Sequence, residues 1–230
     1  MTREEFLTKL PVLVKDYQPA PDVLGQIGNV ELLMIVGPSG VGKTTLIQRS
    51  GLVYVPSDTT RPIRPEEKNG EDYFFRSDYD QIVQEINTGR YAQVAVDSGG
   101  DLKATKDTSY PTSGMAIMAV VADVLPIFKE LGFKKTISAF ITPPGYDEWM
   151  RRLLIHMLTP EQFALRIDEA KRSFSIAMAD PDMHFILNDD LEAANNQLVN
   201  LIAGNINLHR EQDAKLAAGE LLNKLSETNS

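Results

Sequence analysis

The sequence predicts an α/β fold in which a parallel sheet is flanked by helices. Short runs that are apolar on both faces recur along the chain, as in buried parallel strands, and they alternate with segments of helical hydrophobic spacing. The predicted strands are 31–36, 115–122, 136–142 and 183–187. The predicted helices are 43–50, 124–132, 146–155, 160–178 and 190–203. Because parallel strands are joined by crossover helices, this alternation indicates one wound sheet.

The remaining segments do not follow this alternation. Residues 1–16 have the spacing of a short amphipathic helix, and 17–29, with two prolines and two glycines, read as a connector. Residues 71–110 mix a short helix at 78–88 with polar, β-leaning stretches, which predicts a small inserted lobe. The tail from residue 206 is helical in pattern. We therefore expect three parts: an N-terminal helical arm and linker at 1–29, a main domain at 30–205, and a C-terminal helical tail at 206–230.

Composition excludes several classes of protein. The chain has 230 residues, 43% of them hydrophobic and 24% charged, as in soluble globular proteins. It has no cysteine, which excludes disulfides, thiolate metal sites and a cysteine nucleophile. Its net charge of −9 argues against binding to nucleic acid. The longest apolar stretch, 115–128, is shorter than the ~20 residues that a membrane span needs. The N-terminus is charged, so we expect a cytoplasmic protein with no membrane contact.

A phosphate-binding loop (P-loop) follows the first predicted strand. The segment from Gly37 to Thr44 matches the pattern G-x-x-x-x-G-K-[ST], and a helical segment comes after it. Glycines let successive backbone N–H groups point at phosphate oxygens. We expect Lys43 to reach the β- and γ-phosphates of a nucleoside triphosphate and Thr44 to hold Mg²⁺. The predicted ATP-binding residues are Gly37, Pro38, Ser39, Gly40, Val41, Gly42, Lys43, Thr44 and Thr45.

A second anion site is predicted shortly after the loop. Prolines at 62 and 65 hold this segment extended, and in a three-residue-per-turn conformation Arg61 and Arg64 project to the same side. Two guanidinium groups on one side suit a phosphate monoester, and Tyr73 adds a hydroxyl donor. Next to a nucleotide loop, these residues indicate an acceptor phosphate beside a donor phosphate.

These two segments together closely resemble the guanylate kinase family. The likeness is carried by Gly-Pro-Ser-Gly-Val-Gly-Lys-Thr-Thr-Leu at 37–46 and by Ser-Asp-Thr-Thr-Arg-Pro-Ile-Arg-Pro at 57–65. The resemblance implies a P-loop core, a monophosphate-binding lobe at about 57–112 and a helical lid at about 150–166. It also implies ATP-dependent phosphorylation of GMP or dGMP, with Mg²⁺ and with Arg61, Arg64 and Tyr73 on the GMP phosphate.

The sequence departs from the family where the guanine base would be read. The resemblance places Ser57 against the base and puts Gln93 where the family has a glutamate. Glutamine offers one carbonyl acceptor, whereas a carboxylate accepts from both N1–H and N2–H of guanine. Strand alternation places Asp97 on the face of Gln93, and we hypothesise that Asp97 supplies the missing carboxylate. The family's Tyr-Gly-Thr falls at 103–105 by spacing and at 110–112 by residue type, and the sequence leaves both open.

The remaining candidates lie in the second half of the chain. Asp123 follows an apolar run and matches a Walker-B-like position that acts on Mg²⁺, although it also fits a helix cap. By resemblance, Arg152 and Arg166 join Lys43 as catalytic residues that offset charge on the transferring group. Two other functions stay open: a kinase for another nucleoside monophosphate, and a non-catalytic interaction module of the same fold. The sequence predicts no particular protein partner.

Overall fold

The computed structural model of the chain describes residues 1–65, 67–97, 99–155 and 158–227. Its helices are α1 (Arg3–Lys15), α2 (Pro21–Ile27), α3 (Lys43–Arg49), α4 (Tyr79–Asn87), α5 (Leu125–Glu130), α6 (Tyr146–Leu154), α7 (Pro160–Ala179), α8 (Leu191–Ile202) and α9 (Leu208–Glu227). Its strands are β1 (Val30–Val36), β2 (Val53–Tyr54), β3 (Ser57–Thr59), β4 (Tyr73–Phe75), β5 (Tyr91–Val96), β6 (Leu102–Lys106), β7 (Gly114–Ala119), β8 (Lys135–Thr142) and β9 (Met183–Leu187).

The larger sheet confirms the predicted α/β class. It is a five-stranded parallel sheet with the order β2-β7-β1-β8-β9, flanked by helices. In the β8–β9 pair, Phe140 lies beside Phe185 and Ile141 beside Ile186, and these four side chains are buried. Strands that are covered on both faces need apolar residues at every position, which is why the apolar runs located these strands.

The smaller sheet confirms the β-leaning lobe. Its four strands have the order β4-β3-β6-β5, with β3 and β5 antiparallel to β6 and β3 parallel to β4. One face of this sheet carries a hydrophobic cluster that includes Val94, Leu102 and Ala104 from the strands. Helices α1 and α4 contribute Phe6, Leu10, Ile82 and Ile86 to the same cluster. The N-terminal arm is therefore part of the core of this lobe.

The chain divides into two compact units. The first unit contains residues Met1–Leu32, Val53–Ala116 and Pro126–Thr136. The second contains Leu33–Leu52, Ile117–Leu125 and the chain from Ile137 onward. The phosphate loop belongs to the second unit, and the arginines 61 and 64 belong to the first. The domain boundaries expected from the sequence stay predictions.

Two local predictions were wrong. The connector at 17–29 contains helix α2, in which Val23 and Ile27 are buried. Pro21 occupies the first turn of this helix, where proline is well tolerated because its missing N–H would have no partner there. The strand predicted at 115–122 ends at Ala119, and a 3-10 helix follows at Ala122–Val124. A buried apolar turn and a buried strand have the same composition, so the sequence did not separate them.

The C-terminal tail forms helix α9, which packs against α7 and β9. Its buried residues recur at helical spacing as Ala214, Ala218, Leu221 and Leu225. Glu211 of α9 accepts hydrogen bonds from His184 Nδ1 and from the backbone N–H of Phe185, at 2.9 and 3.3 Å. The tail is thus integrated into the second unit. Among the described residues, none of the helices is long and apolar enough to cross a membrane.

Candidate functional site

The phosphate loop curls through three glycines in the left-handed region between β1 and α3. Gly37, Gly40 and Gly42 have φ values of 143°, 80° and 94°. A Cβ on Gly42 would lie 2.4 Å from Asn188 Nδ2, and one on Gly40 would lie 3.2 Å from the backbone N of Leu153. Both the backbone conformation and the close packing therefore require glycine here. This is the geometry that the G-x-x-x-x-G-K-[ST] pattern predicts.

Side chains from α6 and from the end of β9 fasten the loop. Asn188 Nδ2 donates to Val41 O at 2.7 Å, and Trp149 Nε1 donates to Ser39 O at 2.9 Å. Both side chains are buried, so these hydrogen bonds fix the loop backbone. Lys43 Nζ donates to Gly37 O at 2.6 Å and to Pro38 O at 2.8 Å, which keeps its ammonium at the loop.

The two predicted catalytic arginines sit on different helices of the second unit. Arg152 on α6 donates from NH1 and NH2 to Asn188 O, each at 3.2 Å, and from Nε to Glu148 at 2.7 Å. Asn188 therefore joins Arg152 to the loop that it also fastens. Arg166 on α7 is partly exposed and pairs with Glu169 at 2.6 Å. The predicted lid contains His156 and Met157, which lie outside the described residues.

The two predicted Mg²⁺ ligands, Thr44 and Asp123, are both exposed in the second unit. Thr44 follows Lys43 directly in the first turn of α3, as the pattern requires. Asp123 was expected at the end of a strand but belongs to the 3-10 helix after it. Within the described part of the chain, no three carboxylate or histidine side chains form a group able to hold a metal ion. Mg²⁺ in nucleotide sites is held by one or two protein oxygens and the phosphates, and an exposed hydroxyl beside Lys43 fits that chemistry.

In the first unit, one face of the four-stranded sheet carries polar side chains. A shift in register between Tyr91 and Gln93 places Gln93 on this face. Tyr91 pairs with Lys106 and Gln93 with Thr105, so these two residues of β5 point to opposite sides of the sheet. Tyr91 joins the hydrophobic cluster, and Gln93 joins the polar face.

One end of this polar face is built around Arg61. Its guanidinium makes a bidentate pair with Glu67, at 2.7 and 2.5 Å, and lies 4.9 Å from the centre of the Tyr73 ring and 5.2 Å from that of Phe75. Arg64 is half exposed, and its NH1 lies 3.8 Å from Glu67. Both arginines therefore reach the same carboxylate.

Lys103 adds a third cation to this cluster. Its Nζ lies 5.4 Å from the centre of the Tyr73 ring. The positive charge of Lys103, and then that of Arg61, lowers the pKa of Tyr73 although burial acts to raise it. Arg61 and Arg64 pair with the carboxylate of Glu67, and Lys103 adds a further positive charge beside Tyr73. Such a cluster suits a dianionic phosphate monoester.

Elsewhere on this face, buried polar side chains form a row across three strands. Thr105 on β6 lies beside Gln93 on β5, and its hydroxyl is 3.2 Å from that of Ser57 on β3. All three are at most 4% exposed. Asp97 was expected on the same strand face, but β5 ends at Val96. Asp97 instead closes the following turn, where its Oδ1 accepts from the N–H groups of Gly99 and Asp101 at 2.8 and 3.0 Å.

The two segments that the sequence left open, 103–105 and 110–112, both reach this polar row. Lys103 and Thr105 lie on the polar face, and Tyr110, whose buried ring lies 5.3 Å from that of Phe133, hydrogen bonds to Thr105. Sequence reasoning gave no role at the site to Trp149 or Asn188, and it placed Lys103 and Thr105 only in one of the two open segments. The spacing that points to 103–105 was the available sequence signal for Lys103.

Comparisons with known proteins agree with this geometry. The family model described as "Guanylate kinase" matches residues 29–205, more than half of the chain. The guanylate kinase of Bacteroides fragilis is 34% identical over 186 residues, covering 76% of this chain and 89% of the relative. The guanylate kinase of Frankia casuarinae is 32% identical over 189 residues, covering 75% of this chain and 97% of the relative. The crystal structure of guanylate kinase from Anaplasma phagocytophilum has the same fold, with a TM-score of 0.56, 22% identity and coverage of 88% of this chain and 97% of that one. The chain belongs to the guanylate kinase family.

Proposed function

We propose that this chain is an ATP-dependent kinase that converts GMP and dGMP to GDP and dGDP. The observation that supports this most directly is the intact phosphate loop, in which Lys43 and three left-handed glycines occur as phosphate binding requires. Family membership and the cation cluster around Arg61 support a monophosphate as the acceptor. The cytoplasmic location expected from the sequence stays a prediction.

The proposed reaction is a direct in-line transfer. An oxygen of the GMP phosphate attacks the γ-phosphorus of ATP, and the bond from that phosphorus to the β–γ bridging oxygen breaks, releasing ADP. Loop N–H groups between Gly37 and Thr45 bind the ATP phosphates, and Lys43 offsets charge on the γ-phosphate. We propose that Arg152 and Arg166 offset the charge that spreads over the transferring group.

The acceptor is held by the first unit. In this proposal, Arg61, Arg64 and Tyr73 bind the GMP phosphate, while Ser57 and Gln93 contact the base. Asp97 as a further base contact stays a prediction, which an unchanged GMP affinity in Asp97→Asn would refute. Mg²⁺ bound with ATP supplies charge neutralisation across the β- and γ-phosphates, with Thr44 the candidate ligand and Asp123 a further one.

The test of this function is a coupled ADP-release assay with GMP, dGMP, AMP, UMP and CMP. We expect turnover with the two guanine nucleotides, and its loss by at least about 1,000-fold in Lys43→Ala because the γ-phosphate loses its cation. Arg49→Ala, at the exposed end of the same helix, is the matched control and retains activity. Turnover confined to AMP or a pyrimidine nucleotide, or full activity in Lys43→Ala, would contradict the proposal.

A further inference from the structure

The side-chain amide of Gln93 is buried without a partner for its nitrogen. The residue is 4% exposed, and Nε2 makes no hydrogen bond with any described residue. Buried amide N–H groups in native proteins almost always have a partner, and an orphaned one calls for an explanation. Its place in the polar row with Ser57 and Thr105 suggests that a bound ligand provides the missing acceptor.

The spacing of the strands relates Gln93 to the cation cluster around Arg61, where the phosphate of a nucleotide is proposed to bind. Gln93 is on β5. Tyr73, whose ring lies beside Arg61 and Lys103, is on β4, with β6 and β3 between the two strands. Neighbouring strands lie roughly 4.8 Å apart, so the two side chains emerge roughly 14 Å apart on one face and can lean toward a ligand between them. A nucleoside monophosphate whose phosphate lies at Arg61 and Tyr73 therefore directs its base toward Gln93.

The chemistry of the amide limits which base atoms it can read. A primary amide presents one acceptor beside one donor, whichever way it is turned. It therefore pairs with a base edge that presents a donor beside an acceptor. N1–H and N2–H of guanine are both donors, so an amide cannot satisfy the two together. N1–H and O6 are a donor beside an acceptor, and an amide satisfies both: Oε1 accepts from N1–H, and Nε2 donates to O6.

We infer that Gln93 reads the N1–H and O6 edge of a 6-oxopurine and leaves the 2-amino group unread. This inference rests on the proposed kinase function and names its acceptor class: 6-oxopurine nucleoside monophosphates, inosine monophosphate as well as GMP. Hypoxanthine has the same N1–H and O6 atoms as guanine and lacks only the 2-amino group. A pocket discriminates weakly against a missing group that makes no hydrogen bond in it, and strongly when a buried partner is left unpaired.

The test is the ratio of kcat/KM for GMP to that for inosine monophosphate, measured by ADP release in the unmodified protein, with AMP as a third acceptor. We expect the ratio to stay within roughly tenfold. A ratio above about 1,000, with GMP turned over normally, would overturn the inference. AMP turned over as well as inosine monophosphate would also overturn it, because adenine would then pair with the amide through N1 and the 6-amino group. Absence of GMP turnover would instead refute the proposed function.

A single substitution sharpens the test. In Gln93→Glu, the two carboxylate oxygens accept from N1–H and N2–H of guanine. The side chain then reads the 2-amino group, which inosine monophosphate lacks. We expect the preference for GMP over inosine monophosphate to rise at least about tenfold. Gln48→Glu, on the exposed side of α3, is the matched control and leaves the ratio unchanged. An unchanged ratio in Gln93→Glu, with a melting temperature near that of the unmodified protein, would show that residue 93 does not read the base.

Discussion

The Arg61 guanidinium shows how a single residue in this chain acquires its position. Glu67 holds it by two hydrogen bonds, and the rings of Tyr73 and Phe75 lie beside it. Burial acts to raise the pKa of Glu67, but hydrogen bonds from Arg61 and from the Arg64 N–H outweigh it and the pKa is lowered. Glu67 thus stays ionised and orients Arg61 without neutralising the whole cluster, because Arg64 and Lys103 remain.

Lys103 gives the first prediction at this scale. If its ammonium contacts the acceptor phosphate, Lys103→Met removes one charged hydrogen bond, which is worth about 1.5–3 kcal/mol. We expect the KM for GMP to rise about 10- to 100-fold, with a smaller change in kcat and none in the KM for ATP. Steady-state kinetics with each substrate varied in turn measure this. Lys9→Met, exposed on α1, is the control, and a KM for GMP that is equal in both variants would contradict the role of Lys103.

At the scale of elements, helix α1 supports the lobe that carries the acceptor site. Phe6 is fully buried and stacks on Tyr79, with ring centres 5.2 Å apart. On the same helix, Arg3 pairs with Asp101 at 2.6 Å, and Asp101 also accepts from the Thr60 hydroxyl next to Arg61. The arm therefore packs beneath the sheet and reaches the segment that leads into the phosphate-binding cluster.

This packing predicts that Phe6→Ala destabilises the first unit by about 3–5 kcal/mol, because it removes a large side chain from a filled core. Val12→Ala on the same helix should change stability by less than about 0.5 kcal/mol, since Val12 is 78% exposed. Urea unfolding followed by circular dichroism measures both variants. Equal unfolding midpoints would mean that α1 does not contribute to the core of the lobe.

Element prediction succeeded where one physical rule decided the structure. The strand at 183–187 was predicted with its observed bounds. A short apolar run between polar residues fits a buried strand of a wound sheet and is too short for a helix. The polar face was harder, because the register shift after Tyr91 reverses the alternation that the sequence suggests. The register is set by pairing with β6, and the local sequence of β5 does not indicate it. The assignment of Asp97 to a strand face failed for another reason, because β5 ends one residue earlier, at Val96.

At the scale of the whole molecule, the two anion-binding sites come from different compact units and different kinds of backbone. The phosphate loop is a local motif: eight consecutive residues specify it, so the sequence identified it unaided. The acceptor site is assembled from β3, β4, β5 and β6, which span residues 57–106, and its members are recognisable only once the strands are paired. This difference explains why the ATP residues were predicted as a block and Lys103 was not.

The chain as a whole should lose stability in acid, and the reason lies in its paired carboxylates. Glu85 accepts hydrogen bonds from Lys106 at 2.7 Å and from the Tyr91 hydroxyl at 2.6 Å. Burial acts to raise the pKa of Glu85, but these hydrogen bonds outweigh it and the pKa falls below the usual 4.5. In the second unit, the Arg210 guanidinium lowers the pKa of Asp189 against the effect of burial. Asp58 is an exception, because burial raises its pKa despite Arg76 and Lys106.

The sign of the effect follows from linkage. A carboxylate whose pKa is lower in the folded state stabilises the fold above its unfolded pKa, and this contribution is lost as pH falls through that value and the folded one. We therefore expect a nearly constant melting temperature from about pH 7 to 5.5 and a decline below about pH 4.5, by roughly 2–4 °C per kcal/mol lost. Asp58 acts in the opposite direction and reduces the slope. Scanning calorimetry across this range measures it, and Glu85→Gln should flatten the decline whereas the exposed Glu4→Gln should not. A melting temperature that rises below pH 4.5 would mean that the desolvation of Asp58 outweighs the paired carboxylates.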